Sequence, residues 1–376
     1  YKDEELVSTA VKKYLQTKKQ NEKIQHELLY PISLPVKSIE NSQSIEEYKS
    51  YFDKNFNKFE FSNYFILPSI GAYKDKKDKD IFFISNLESI VFKIFINLLN
   101  DFLKNKDLNE KYTVYFDISG GINIYVASIL EALRYFHVFY TLFNLGNKNL
   151  EIYVSYSEPI IGNYNKEFYQ IYFHRLKFKT FFNISPISRE DSNLEHIYSD
   201  TKDREELKML LTKYKIVFNS INKFAPLPLY YVKTDKEETL KEINKIIQTY
   251  LCEYEQKILN SSLIPKIDKA NKILLSLAFM YGVLAFLNLK YDQELGVSLE
   301  EIKEKFIDSF SIYNKIKISN TILKKEFSKI ILKSLRKILF QLLFHVEHIG
   351  VTVKLKVPRG TKHNKTSKKY EKTVYK

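Results

Sequence analysis

The strongest constraint on the fold is an alternation in the first half of the chain, where short runs rich in β-branched and aromatic residues are separated by longer runs with helical spacing. Glu4 to Leu15 sets Leu6, Val7, Ala10, Val11, Tyr14 and Leu15 on one helical side. Tyr64 to Ile70 reads as a buried strand ending at Gly71, Asn86 to Leu103 as a helix, Tyr112 to Ile118 as a strand and Asn123 to Tyr140 as a helix. Glu151 to Tyr156 is a further strand, closed by the turn Ser157-Glu158-Pro159. Strands joined by helices of this length need right-handed crossovers, so the pattern predicts a doubly wound α/β domain with a mainly parallel sheet. After about Pro186 the strand signals give way to amphipathic segments: Glu205 to Phe224, Glu237 to Ile258, Lys269 to Leu289, Leu299 to Phe310 and Ile322 to Phe344. These predict an all-α second part. Pro, Ser, Arg, Glu and Asp accumulate between residues 186 and 200, which places domains at 1–190 and 191–376.

The chemistry of the first part centres on Asp117-Ile118-Ser119-Gly120-Gly121-Ile122-Asn123. A hydrophobic strand that turns through Ser-Gly-Gly straight into a helix presents unpaired main-chain N–H groups at the positive end of the helix dipole, which favours an anion such as phosphate. The glycines let backbone approach the ligand, Ser119 offers a hydroxyl, and Asn123 is placed to cap the helix or to read a base or ribose. The structural alternative is that the glycine pair only makes a tight strand-to-helix turn. Asp117 and Glu158 are a possible carboxylate pair, although an Asp at a strand end more often fixes a turn.

The net charge of +14 attracts polyanions and says little about fold. It is uneven: from Val351 onward Lys354, Lys356, Arg359, Lys362, Lys365, Lys368, Lys369, Lys372 and Lys376 face the single acid Glu371. Tyr370 and Tyr375 interleave that run, as cations and stacking rings do in binders of single-stranded RNA. The alternatives are a solvated tail and, for the general lysine surplus, the codon bias of an AT-rich genome. The lone Cys252 excludes an internal disulfide and a cysteine-based zinc cluster, and suits the cytoplasm. His26, His137, His174 and His196 lack metal-ligand spacing, so no bound metal or cofactor is expected. Ile273 to Leu289 is interrupted by Asn and Gly and flanked by lysines, so no convincing membrane span and no membrane association are expected. No signal peptide is expected, and the start at Tyr1 suggests a lost N-terminal piece.

Three turns fall at matching places in the alternation: Pro68-Ser69-Ile70-Gly71-Ala72-Tyr73, Asp117 to Asn123, and Ser157 to Gly162. Their order, and above all the stretch YFDISGGINIYVASILEALRY from Tyr115 to Tyr135, resembles the Rossmann-fold sensors of type III CRISPR systems called CARF domains, over roughly the first 180 residues. The resemblance implies a Rossmann-like homodimer, or a higher oligomer, that binds a cyclic oligoadenylate, usually cyclic tetra-adenylate, across its two-fold axis. It implies that Ser119, Gly120, Gly121, Ile122 and Asn123 line the pocket, with Ser69, Gly71 and Ala72 nearby. The first strand of such domains, whose loop normally helps to hold the ligand, is expected to be absent.

In that family the all-α partner is commonly a HEPN ribonuclease, a metal-independent endoribonuclease acting on single-stranded RNA in antiviral defence. Its dimer-shared site carries an Arg about one helical turn before a His. The resemblance implies that His moves a proton at the ribose and Arg stabilises charge on the phosphorane. Here Arg336, His345 and His348 are the candidates, and His348-Ile349-Gly350 matches the close of the motif. Leu343 stands where Arg is expected, however. Hidden neighbours of His348, a cation from another helix with Arg336 the best choice, and lost catalysis all fit that departure. His345, among Leu342, Leu343 and Phe344, also fits a structural core role, and Glu347 is placed to orient either ring. Two other readings stay open: a non-catalytic CARF sensor or transcriptional regulator, and a ring nuclease that degrades the cyclic messenger itself.

Overall fold

A computed structural model divides the chain into two compact units, Tyr1–Ser319 and Asn320–Lys376. The structure describes residues 7–18, 24–39, 44–56, 63–105, 111–119, 123–145, 149–158, 170–178, 184–188, 190–223, 225, 227–232, 235–259 and 263–287, together with 301, 304, 306, 325, 328, 329 and 332. The boundary expected between residues 190 and 191 falls inside the first unit.

The first unit opens with helix α1 (Val7–Lys18), whose buried stripe Val7, Val11 and Leu15 packs on Ile24, Tyr115 and Ile171. Strand β1 (Glu27–Pro31), helix α2 (Ile45–Phe56) and strand β2 (Asn63–Leu67) form a β-α-β crossover, with β1 and β2 parallel and Leu29 opposite Phe65. This corrects the expectation that the first strand is missing. Its residues Glu-Leu-Leu-Tyr-Pro give little alternation, and all five are half-buried, so a period-two search passes over them.

Strands β3 (Gly71–Lys74) and β4 (Asp80–Phe83) form an antiparallel hairpin. The Asp75 carboxylate accepts from the Lys77 and Lys79 amides at 2.8 and 2.9 Å, and Asp78 takes a positive φ of 57°. A connection this short has no room for a crossover. Helix α3 (Leu87–Lys104) follows, with the Asn86 side chain accepting from the Ser89 amide at its start. Strand β5 (Lys111–Asp117) then runs through helix α4 (Asn123–Asn144) to strand β6 (Asn149–Ser157), parallel to β5 in the register Asp117 opposite Ser155. Strand β7 (Ile171–Leu176) adds antiparallel to β6. The parallel pairing of β5 with β6 fits the expected mainly parallel sheet, but two of the four described pairings are antiparallel, so the sheets are less uniformly parallel than the alternation alone predicts.

Helices α5 (Thr201–Asn222), α6 (Leu227–Tyr231), α7 (Lys236–Lys257) and α8 (Ile267–Leu287) follow. Asp200 and Asp235 cap α5 and α7 by accepting from the amides of Asp203 and Glu237. Helix α8 meets α4, α5 and α7. Although α8 is long and apolar enough to cross a bilayer, Ile273, Leu274, Leu277, Met280 and Val283 are fully buried within the protein. The α4–α8 crossing is close: a Cβ at Gly282 would lie 2.0 Å from the Leu142 carbonyl oxygen, and the rings of Phe143 and Tyr281 stack 4.0 Å apart. Ile258, at the end of α7, joins the core formed by Ile32, Val36, Tyr48, Phe52 and Phe83. Of the second unit, Lys325, Ser328, Lys329 and Leu332 are described; they are helical and exposed.

Candidate functional site

Two hydroxyl clusters, one buried and one half-buried, hold the carboxyl ends of the parallel strands. In the first, Ser69 stands just beyond β2 and is 1% exposed. Its Oγ accepts from the Ser33 amide at 3.1 Å, donates to Ser33 Oγ at 2.9 Å and lies 3.0 Å from the Tyr125 hydroxyl. Tyr125 also donates to the Pro68 carbonyl at 3.1 Å. Ser33 follows β1, whose ladder continues through the Ile32 amide to the Leu67 carbonyl, while Tyr125 sits in the first turn of α4. One hydroxyl thus joins the ends of β1 and β2 to the start of α4. Burial pushes the Tyr125 phenol above its ordinary pKa, opposed by the Ser69 bond and helped by nearby Tyr73, so it stays protonated and available as a donor.

The second cluster closes the ends of β5 and β6. The Ser119 hydroxyl and amide both donate to Asp117 Oδ1, at 2.6 and 3.2 Å, and Ser119 Oγ accepts from the Ser157 amide at 3.0 Å. Burial raises the Asp117 carboxyl above its usual range, opposed by its bonds from Ser119 and Ser155. Asp117 therefore fixes the turn through short local bonds. Glu158 turns elsewhere, accepting from the Tyr172 hydroxyl at 3.5 Å. The Ser119 hydroxyl is engaged at both ends by its neighbours, so it shapes the turn in the described state.

Asn123 is the first residue of α4 and is exposed, and that first turn carries no acid. Gly71, at a φ of 115°, and Ala72 are exposed and open β3 opposite Phe83 and Phe82. Gly120, Gly121 and Ile122 lie outside the described residues, as do Arg336, Leu343, His345 and His348. Ser33 and Tyr125 are the participants that sequence reasoning missed. Tyr125 had a legible signal: it begins the buried stripe that continues through Ile129, Ala132, Leu133 and Phe136, and a tyrosine at the polar end of such a stripe needs a partner for its hydroxyl. Ser33 had none, because its partner is 36 residues away.

Parallel strand pairs alternating with helices, with the end of β2 bonded to the acid-free start of α4, fit a Rossmann-like domain. Residues 2–159 match the family model for the CARF domain of the CRISPR system endoribonuclease Csx1. The N-terminal α/β region is accordingly similar to the CRISPR-associated CARF domains, over a match that spans less than half of the chain. No curated protein matches it.

Proposed function

We propose that the chain is a CRISPR-associated sensor that binds cyclic oligoadenylate, in the form of cyclic tetra-adenylate, and is thereby activated to cleave single-stranded RNA without a metal. The CARF match over residues 2–159 carries this reading, since it points to a sensor of cyclic oligoadenylate and spans both hydroxyl clusters. The phosphates sit at the amino end of α4, where main-chain donors from Gly120 to Asn123 meet them and where no acid of the first turn opposes them. Two copies of the chain facing each other across a two-fold axis double every donor against a ring that carries the same symmetry. Gly71 and Ala72 are exposed just after Ser69 and belong to the rim of the pocket, and Asn123 reads a ribose or base.

The helical part supplies the cleavage. His348 and His345 are the proton-transfer candidates at the ribose 2′-hydroxyl and the leaving oxygen, and Arg336 is the cation for the phosphorane. The basic tail from Lys354 to Lys376 holds the RNA backbone, and the protein works in the cytoplasm. Activation requires the ligand to bind the active arrangement more tightly than the resting one. Leu343, standing where the motif expects Arg, favours one second reading, a sensor that regulates without catalysis.

Labelled single-stranded RNA and labelled cyclic tetra-adenylate, each incubated with the full chain in chelator, separate these readings. RNA cleavage that appears only with added cyclic tetra-adenylate, and is abolished in His348→Ala, supports the proposal. Intact RNA despite saturating ligand leaves the non-catalytic sensor, and breakdown of the ring itself identifies a ring nuclease.

A further inference from the structure

We infer that Tyr125 and Ser69 are positioning residues for the ligand: their hydroxyls hold the first turn of α4 at the height where its main-chain donors meet a phosphate, without touching it. The inference rests on the cyclic oligoadenylate reading and deepens it. The turn at Pro68 to Tyr73 and the turn at Asp117 to Asn123 look in sequence like two separate ligand loops. In the structure the first of them is tied to the helix that follows the second, because Ser69 Oγ lies 3.0 Å from the Tyr125 hydroxyl of α4 and that hydroxyl donates back to Pro68 at 3.1 Å.

The glycine pair is flanked by anchors on both sides. Upstream, Ser119 is fixed to Asp117 and to the Ser157 amide. Downstream, Tyr125 is fixed to the end of β2, and through Ser69 to Ser33 at the end of β1. Anchors this close to the start of α4 fix its first turn before a ligand arrives, which spares binding the cost of placing that turn. Ser69 and Tyr125 are 1% and 8% exposed, and each hydroxyl already serves protein partners, so neither is free to address a ligand directly. Their effect on affinity therefore runs through the geometry of the α4 start.

The test is isothermal calorimetry of the full chain with cyclic tetra-adenylate, run beside thermal unfolding without ligand. Tyr125→Phe keeps the ring and removes only the hydroxyl; we expect Kd to rise about tenfold. Ser69→Ala should act in the same direction, and Ser69→Thr, which restores a hydroxyl, should recover most of the loss. Tyr254→Phe is the control, since it deletes another buried tyrosine bond to a main-chain carbonyl, that of Ser89 at 2.6 Å, which is not part of the Ser33–Ser69–Tyr125 cluster. It should lower the melting temperature about as much and leave Kd unchanged. Wild-type affinity in folded Tyr125→Phe, or equal loss of affinity in Tyr254→Phe, overturns the positioning role while leaving the sensor reading intact. Absence of binding by the wild-type chain overturns the sensor reading and this inference with it.

Discussion

Lys93 carries an ammonium into the seam between α3 and α7, where its Nζ lies 5.1 Å from the centre of the Tyr254 ring. Burial pushes its pKa down to about 8, a shift that Glu255 opposes and Lys49 reinforces. A lysine depressed in the folded state binds fewer protons folded than unfolded, so stability should climb as pH rises from about 8 toward the ordinary lysine value and fall as pH drops through 8. Lys93→Met should raise unfolding free energy at pH 7 by roughly 1–3 kcal/mol, the usual cost of a poorly satisfied buried polar group, and should flatten that alkaline rise. Denaturant unfolding at pH 7 and pH 9.5 checks both; a destabilised variant would mean that the Tyr254 contact outweighs desolvation. Glu27 behaves in the mirror sense. Burial first, and then Asp101, raise its pKa to about 7, against a smaller opposing effect from Lys104, so stability should decline between about pH 4.5 and pH 7. Glu27→Gln should remove that decline in a pH series of melting curves.

Among elements, the pairing of α4 with α8 is the one most sensitive to a single atom. Adding a methyl group at Gly282 drives it into the Leu142 carbonyl oxygen and toward Leu145, and neither α4 backbone nor the stacked Phe143 and Tyr281 rings has room to yield. Gly282→Ala should therefore cost about 1–3 kcal/mol, as overpacking does, measured by chemical denaturation. Little or no loss would show that the helices separate easily. The elements that sequence made legible are those with strong periodicity: α1, α3, α4, α5, α7 and α8, and strands β2, β5 and β6 all lie where apolar spacing places them. Strand β1, helix α2, the β3–β4 hairpin and β7 were not legible. Glu27–Pro31 and Ile171–Leu176 alternate weakly, and β7 exposes Tyr172, Phe173, His174 and Arg175 together, so local pattern does not reveal a strand whose pairing is set by a partner far along the chain. For the site the same limit holds: Asp117 and Ser119 announce a turn locally, whereas the Ser33–Ser69–Tyr125 cluster joins residues 36 and 56 positions apart.

At the scale of the molecule, ligand binding and RNA binding should be separable by their physics. A ligand bound only by the folded chain stabilises it with the logarithm of its concentration over Kd, so at a hundredfold excess over Kd cyclic tetra-adenylate should add about 2.7 kcal/mol and raise the melting temperature. RNA held by the lysine-rich tail should instead weaken steeply with salt, by a slope of about 0.7 for each phosphate neutralised. Removing residues from Val351 onward should flatten that salt dependence and leave cyclic tetra-adenylate affinity unchanged. A tail-less chain with an undiminished salt slope would place the RNA contacts elsewhere.

A co-crystal structure of the full chain with cyclic tetra-adenylate addresses the proposed anion cradle at the start of α4 without intermediaries. The expected result is a ring phosphate within hydrogen-bonding distance of main-chain amides between Gly120 and Asn123, with Tyr125 still bonded to Ser69 and Pro68. A ring seated away from that turn, or a turn covered by packed side chains and closed to phosphate, would contradict it.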